Sequence, residues 1–258
     1  MIRRRRFVSL LALVAATACA APAAGMVGGA APAEEALARH VVMVVGTRHT
    51  ACSGTAIGRD LVLTAAHCVP PGSRYGVIET GSPRRARQNR TAAIERHPLY
   101  DPDTALAPRE SADVALIKLA APMSAWVVPA PLGTRDHFLL GDRLLVAGYG
   151  VTGMSTGGYG TLRSATLMVV RHPPSGPLRL ADPATRGELA GLGACSGDSG
   201  GPVFEDSGDQ LVLVGVVSWA TDARRSAGCG GVTGATPLVR VRQWITEMAA
   251  KFGSQLGP

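Results

Sequence analysis

The sequence has few aromatic and charged residues and, after residue 25, no long apolar run. Aromatic residues make up 4% of the chain and charged residues 17%, against 46% hydrophobic residues. This composition is typical of a globular protein and not of a disordered one. Without a long apolar run, residues 26–258 are predicted to contain no transmembrane segment. The 32 glycines separate many short segments, which favours an all-β fold.

The positive charge does not indicate a nucleic-acid partner, although the formal net charge is +7. Four of these charges are the consecutive residues Arg3 to Arg6, and residues 1–25 contain no Asp or Glu. Removing that segment leaves a net charge of +3. Such a surplus is typical of a solvated surface rather than of a phosphate-binding track, so we predict no nucleic-acid binding.

Residues 1–25 have the pattern of a secretory signal peptide. The arginines come first, an apolar run from Phe7 to Ala18 follows, and small residues end the segment. We therefore expect an exported protein, extracellular or periplasmic, and the arginines also fit twin-arginine export. Cys19 offers an alternative, a lipid anchor, although Ala16 stands where such sites usually have leucine.

Cysteines are scarce, and no two of them have C-x-x-C spacing. Without Cys19 the chain keeps four: Cys52, Cys68, Cys195 and Cys229. An even number in an exported chain predicts two disulfides, and the residues alone leave three pairings open. Because the spacing does not suit a metal site, we predict neither a metal ion nor another cofactor.

Short β-branched runs recur along the chain, bounded by Gly, Pro or Asp. They predict strands at residues 40–45, 60–66, 113–119, 143–150, 165–170 and 211–219. Near the C-terminus, apolar residues three and four apart predict a helix over 241–252. The Arg-rich segment 81–91 is predicted to be an exposed loop, and it lacks the acidic side chains that calcium needs.

The stretch ACSGDSGGP, Ala194 to Pro202, places Ser199 among glycines and beside an aspartate. Turns favour these residue types, but a nucleophile also needs an exposed hydroxyl and a backbone free to aim N–H groups. His67 follows an apolar run and precedes a cysteine, and Asp113 begins another apolar run. Acyl transfer by serine needs a hydroxyl, a base and an orienting carboxylate, which these three residues could supply.

The motifs TAAHC, DVALIKL and CSGDSGGP, in that order, resemble those of the trypsin/chymotrypsin family of serine endopeptidases. Shorter matches follow the family's order: MVGG at 26–29, HPLY at 97–100, GYG at 148–150, SWA at 218–220 and WI at 244–245. The resemblance implies one peptidase domain over 26–258. It would consist of two packed antiparallel β-barrels, about residues 26–130 and 131–240, and a C-terminal α-helix. We expect a secreted, monomeric member of bacterial type that acts on proteins or peptides.

The resemblance also implies a role for each site residue. Ser199 would attack the peptide carbonyl, His67 would take its proton, and Asp113 would orient the imidazole. The backbone N–H groups of Gly197 and Ser199 would form the oxyanion hole. Ser218 matches the family serine that hydrogen-bonds the triad carboxylate.

The same resemblance selects one pairing of the cysteines. Cys52 with Cys68 would close a loop beside His67. Cys195 with Cys229 would brace the primary specificity pocket.

The specificity pocket departs from that of trypsin-like members. Gly193, six residues before the nucleophile, stands where trypsin-like members carry an aspartate. The pocket would therefore have no buried negative charge to pair with a substrate Lys or Arg. Ala220 and Thr236, the second found by counting seven residues from Cys229, would narrow the pocket walls. This combination predicts small apolar side chains before the scissile bond.

The segment 221–228 is longer than the family usually has and contains Arg224 and Arg225. These arginines would either contact acidic groups of the substrate or form a solvated loop tip. The residues alone favour the loop tip.

Activation is expected to depend on Met26 and Asp198. In the family, a freed N-terminal amine pairs with the aspartate before the nucleophile. Ala23, Ala24 and Gly25 fit a signal-peptidase site directly before Met26, so export itself would free this amine. Cleavage earlier, after Ala20 for example, would leave a short pro-segment and a latent form.

A second function class remains compatible with the scaffold: a non-catalytic binding protein. Relatives of that kind usually lose a triad residue. Here all three are present, which favours the enzyme.

Overall fold

A computed structural model of the protein describes residues 26–80, 86–102, 111–152, 160–174 and 176–258. Two closed antiparallel β-barrels of six strands each confirm the predicted fold class. The signal peptide and Cys19 lie outside the described residues, as do residues 81–85 of the predicted loop. Within the described ranges, no helix has the length and apolar character needed to span a membrane.

The first barrel follows a short strand β1 (Ala31–Pro32) and a helix α1 (Glu35–Ala38). Its strands are β2 (Val41–Gly46), β3 (Ala51–Gly58), β4 (Leu61–Thr64), β5 (Tyr75–Glu79), β6 (Arg87–Arg96) and β7 (Ala115–Leu119). They pair in the order β2-β3-β4-β7-β6-β5, and β5 returns to β2. In β2, Val42 and Val44 pack inside this barrel, whereas Val41 and Met43 pack into a second core. Burial on both faces explains why this strand is apolar at successive positions.

The second barrel contains β8 (Arg143–Gly148), β9 (Arg163–Arg171), β10 (Leu178–Ala181), β11 (Pro202–Asp206), β12 (Leu211–Ala220) and β13 (Val232–Pro237). Their order is β9-β10-β13-β12-β11-β8, β8 closes onto β9, and β1 adds to the side of β9. The C-terminal helix α2 covers Arg242–Lys251. Its buried residue Ile245 belongs to a core that also holds Leu63 of the first barrel and Phe204 of the second. This shared core fixes the two barrels against each other.

The prediction of an exposed loop over 81–91 is wrong for residues 87–91, which belong to β6. Arg87 and Arg90 are exposed, yet the backbone of β6 pairs with β5 and β7. Because a closed barrel satisfies the backbone of every strand, a strand can form here despite polar, outward-facing side chains.

Candidate active site

The first barrel brings His67 and Asp113 together at one end of two neighbouring strands. Thr64, the last residue of β4, lies opposite Ala115, the first residue of β7. In an antiparallel pair, the end of one strand and the start of the other meet at the same edge. His67, in the short 3-10 helix Ala66–Cys68, and Asp113 therefore emerge side by side.

Asp113 holds His67 by two hydrogen bonds. Its Oδ2 lies 2.7 Å from the ring Nδ1, and its Oδ1 accepts the backbone N–H of His67 at 3.0 Å. The Ser218 hydroxyl also donates to Oδ2, as the resemblance implies. Burial opposes ionisation of Asp113, but the bonds and charge of His67 and the bond from Ser218 hold the pKa of Asp113 below its usual value. The carboxylate therefore stays ionised and orients the ring.

Ser199 lies in the loop between β10 and β11, half-buried, and reaches the same group of residues. Its carbonyl accepts the Ser53 N–H at 2.9 Å, and its hydroxyl donates to the Ser218 carbonyl at 3.5 Å. The Cys68 sulfur lies 3.7 Å from both His67 Nε2 and the Ser199 carbonyl oxygen. His67 Nε2 and the Ser199 backbone thus lie on either side of the same sulfur atom.

Gly197, which the resemblance assigns to the oxyanion hole, has a positive φ. Its φ is +95°, in the region that favours glycine. The buried Ser53 hydroxyl donates to the Gly197 carbonyl at 2.9 Å and accepts the Tyr149 N–H at 2.9 Å. Ser53 thereby fixes the peptide that follows Gly197.

Sequence reasoning missed Ser53. A serine next to a disulfide cysteine resembles any polar residue of a strand. Its partners are 96 and 144 residues away along the chain, so only the fold reveals them.

Asp198 is fully buried, and its carboxylate accepts backbone N–H groups at several points. Gly150 and Cys195 each donate at 2.8 Å, and the Met26 N–H donates as well. Burial raises the pKa of Asp198 to about 7, although these three bonds lower it. A Cβ at Gly148 would lie 2.2 Å from Asp198 Oδ1, so only glycine allows this close approach.

Met26 is itself buried, and Val27 donates to the Gly193 carbonyl at 3.0 Å. The start of the described chain therefore lies against Asp198 and the base of the predicted pocket.

The strand register places Thr233, and not the predicted Thr236, opposite Ala220. Strand β13 begins at Val232, so Thr233 lies opposite Ala220, while Thr236 lies opposite Val216. The buried Thr233 hydroxyl accepts the Ala194 N–H at 3.0 Å, next to Gly193. Counting from Cys229 gives the wrong residue because strand register, not chain distance, decides which side chain faces Ala220.

Both disulfides form with the pairing that the resemblance implies, Cys52 with Cys68 and Cys195 with Cys229. The first pair and His67 bring three potential ligand atoms within 4.8 Å of one another. A metal ion would need thiolates, and both sulfurs are oxidised. This cluster is therefore not a metal site.

Comparisons with known proteins identify related sequences and structures. A family model described as Trypsin matches residues 26–245. The structure of neuropsin, a serine protease expressed in the limbic system of mouse brain, is similar with 22% identity and a TM-score of 0.66, over 85% of this chain and 98% of that one. A structure of a protein named HBP is similar with 22% identity and a TM-score of 0.68, over 90% and 99%. At this identity both structures show the fold alone, and none of these matches supports a bacterial type.

Proposed function

The chain belongs to the trypsin family, and from this premise we propose that it is a serine endopeptidase. It hydrolyses peptide bonds through an ester formed on Ser199, with His67 as the base and Asp113 as the orienting acid.

The single observation that carries this proposal is the double contact between Asp113 and His67, beside a sulfur atom that Nε2 shares with the Ser199 backbone. An ionised carboxylate at Nδ1 favours the tautomer whose Nε2 carries a lone pair. That lone pair is what a base for the Ser199 hydroxyl needs.

The chemistry follows from this arrangement. Ser199 Oγ attacks the peptide carbonyl carbon, and its proton passes to His67 Nε2. The oxygen that becomes negative accepts the N–H groups of Gly197 and Ser199. The imidazolium gives its proton to the leaving amine, and water then hydrolyses the ester by the same proton path in reverse.

Substrate preference follows from the predicted pocket. Gly193 places no charge at its base, and Ala220 and Thr233 carry short side chains on facing strands. A small apolar side chain before the scissile bond fits this lining better than Lys or Arg.

Activation would use the Met26 amine. In a chain that begins at Met26, the donor to Asp198 is an ammonium group instead of an amide, and its charge stabilises the buried carboxylate. Signal-peptide cleavage after Gly25 would produce this chain during export. The two disulfides fit an oxidising compartment outside the cytoplasm.

Cleavage of a peptide library by the protein that begins at Met26 tests the proposed function. We expect cuts after small apolar residues, and no cuts by a Ser199→Ala variant prepared in the same way. An inactive protein that still binds peptides would instead favour the non-catalytic binding protein. Best cleavage after Arg or Lys would refute the pocket assignment.

A further inference from the structure

Three arginines of the second barrel form a group that we call the arginine cluster: Arg171, Arg179 and Arg225. Arg171 on β9 and Arg179 on β10 are direct cross-strand partners. The Arg179 guanidinium lies over the indole ring of Trp219, 5.8 Å from its centre. Arg225 lies in the exposed segment between β12 and β13. Its charge acts on Arg179: burial and then repulsion from Arg171 and Arg225 lower the pKa of Arg179.

The cluster has no acidic partner within the part of the chain that the structure describes. The ion pairs there involve other residues, and the buried Nε of Arg179 has no hydrogen-bond acceptor. Asp222, in the same segment as Arg225, instead accepts hydrogen bonds from Ser226 and from the Arg224 N–H. Like charges directly opposite each other destabilise a sheet. A negatively charged ligand would therefore relieve a repulsion that the fold itself leaves in place.

The cluster adjoins the candidate active site through β12. Ser218, which accepts the Ser199 hydroxyl, directly precedes Trp219, and Ala220 of the predicted pocket follows it. The arginine cluster therefore contacts a residue whose two chain neighbours belong to the candidate site. An extended peptide advances about 3.3 Å per residue, so its third or fourth residue before the scissile bond can reach past an indole ring.

We propose that the arginine cluster is a subsite for a Glu or Asp side chain, three or four residues before the scissile bond. The proposal rests on the proposed function, because it takes the substrate to be the peptide cleaved at Ser199. It identifies the substrates as peptides with a small apolar residue at the cut and an acidic residue upstream.

Two series of fluorogenic peptides test this subsite. Each peptide has Ala before the scissile bond, and the members of a pair differ only by Glu or Gln at the third or the fourth position before it. In low salt we expect kcat/KM to be about fivefold higher for Glu at one of these positions, as for a partly exposed ion pair. The preference should shrink at high ionic strength, because salt screens exposed charges.

Arginine-to-glutamine variants test whether the preference for Glu depends on the arginine cluster. Arg179→Gln and Arg225→Gln should each reduce the ratio of kcat/KM for the Glu peptide to kcat/KM for the Gln peptide. Arg87→Gln is the matched control, because Arg87 is an exposed arginine on β6 of the other barrel. An equal rate for Glu and Gln in the unmodified protein, or a preference that survives both variants, would overturn the proposal.

A binding measurement separates this proposal from the proposed function. Fluorescence anisotropy with labelled Glu and Gln peptides on the Ser199→Ala variant needs no catalysis. Tighter binding of the Glu peptide that is lost when Arg179→Gln is added supports the subsite. This result would hold even if the unmodified protein hydrolyses no peptide, and in that case only the proposed function fails. Equal binding of the two peptides, or none up to millimolar peptide, overturns the subsite.

Discussion

The two halves of the candidate site are held in different ways. In the first barrel, His67 and Asp113 contact each other directly at the ends of paired strands, and a disulfide at Cys68 closes the adjoining loop. In the second barrel, the loop of Ser199 surrounds the buried carboxylate of Asp198.

This difference separates a fixed part of the site from a conditional part. The first half is held by the hydrogen bonds between His67 and Asp113 and by one more from Ser218 of the second barrel. The second half contains a buried acid, Asp198, which accepts a backbone hydrogen bond from Met26. Under the proposed activation, the Met26 ammonium group would supply the cation that a buried carboxylate needs. In the proposed mechanism, the position of the base depends on contacts already present in the fold, whereas the nucleophile loop depends also on the Met26 amine.

Breaking the first half should have the largest effect. Asp113→Asn keeps the shape of the side chain but favours the imidazole tautomer with its proton on Nε2. We expect kcat to fall by about ten-thousand-fold, the loss typical of a Ser-His-Asp triad with this change. Steady-state kinetics on a peptide with Ala before the scissile bond measures it, and a loss below tenfold would contradict the role of Asp113.

Disrupting the second half should lower the catalytic rate less than disrupting the first. A chain that retains Gly25 ahead of Met26 has no ammonium group at Asp198, and we expect kcat/KM to fall about a hundredfold, as when an oxyanion donor is lost. Labelling of Ser199 by a fluorophosphonate should slow in parallel. Full activity of the chain with Gly25, confirmed by N-terminal sequencing after the assay, would rule out the Met26–Asp198 pair.

The same chain with Gly25 should show how the buried acid titrates. The pKa of Asp198 is raised from 3.8 to about 7 in the folded protein, so the folded state binds the proton more tightly than the unfolded state. Its contribution to stability is therefore fully present below pH 4 and is lost as the pH rises toward 7.

Urea unfolding between pH 4 and pH 8 measures this loss. An Asp198→Asn version of the same chain should lack this component of the pH dependence. The chain that begins at Met26 should lose less stability over this range, since its ammonium group pairs with the carboxylate. Identical pH profiles for all three proteins would exclude Asp198 as the titrating group.

A finer test of the second half concerns Ser53. Ser53→Ala leaves the Gly197 carbonyl and the Tyr149 N–H without their shared partner, and we expect kcat to fall about tenfold, the equivalent of one hydrogen bond. KM should change little, because the contact supports the oxyanion hole. Thr55→Val is the matched control, since the Thr55 hydroxyl is buried on the same strand without a hydrogen-bond partner. Equal kcat for Ser53→Ala and Thr55→Val would remove Ser53 from the site.

The sequence predicts those parts of the site that local motifs encode. His67, Asp113 and Ser199 each lie in a short motif, and the apolar runs predict six of the twelve barrel strands that the structure describes. Thr233 and Ser53 depend instead on which strands pair and in which register, and no local pattern encodes that. For the same reason, the sequence does not predict strand β6. Barrel closure, and not the pattern of its own side chains, makes this segment a strand.

The measurement that tests the central claim most directly is active-site labelling. The protein that begins at Met26 is treated with a fluorophosphonate, and peptide mass spectrometry locates the adduct. The account predicts one adduct per chain, on Ser199, that nearly disappears in His67→Ala while the neighbouring Ser196 stays unmodified. No adduct on Ser199, or equal labelling in His67→Ala, would contradict it.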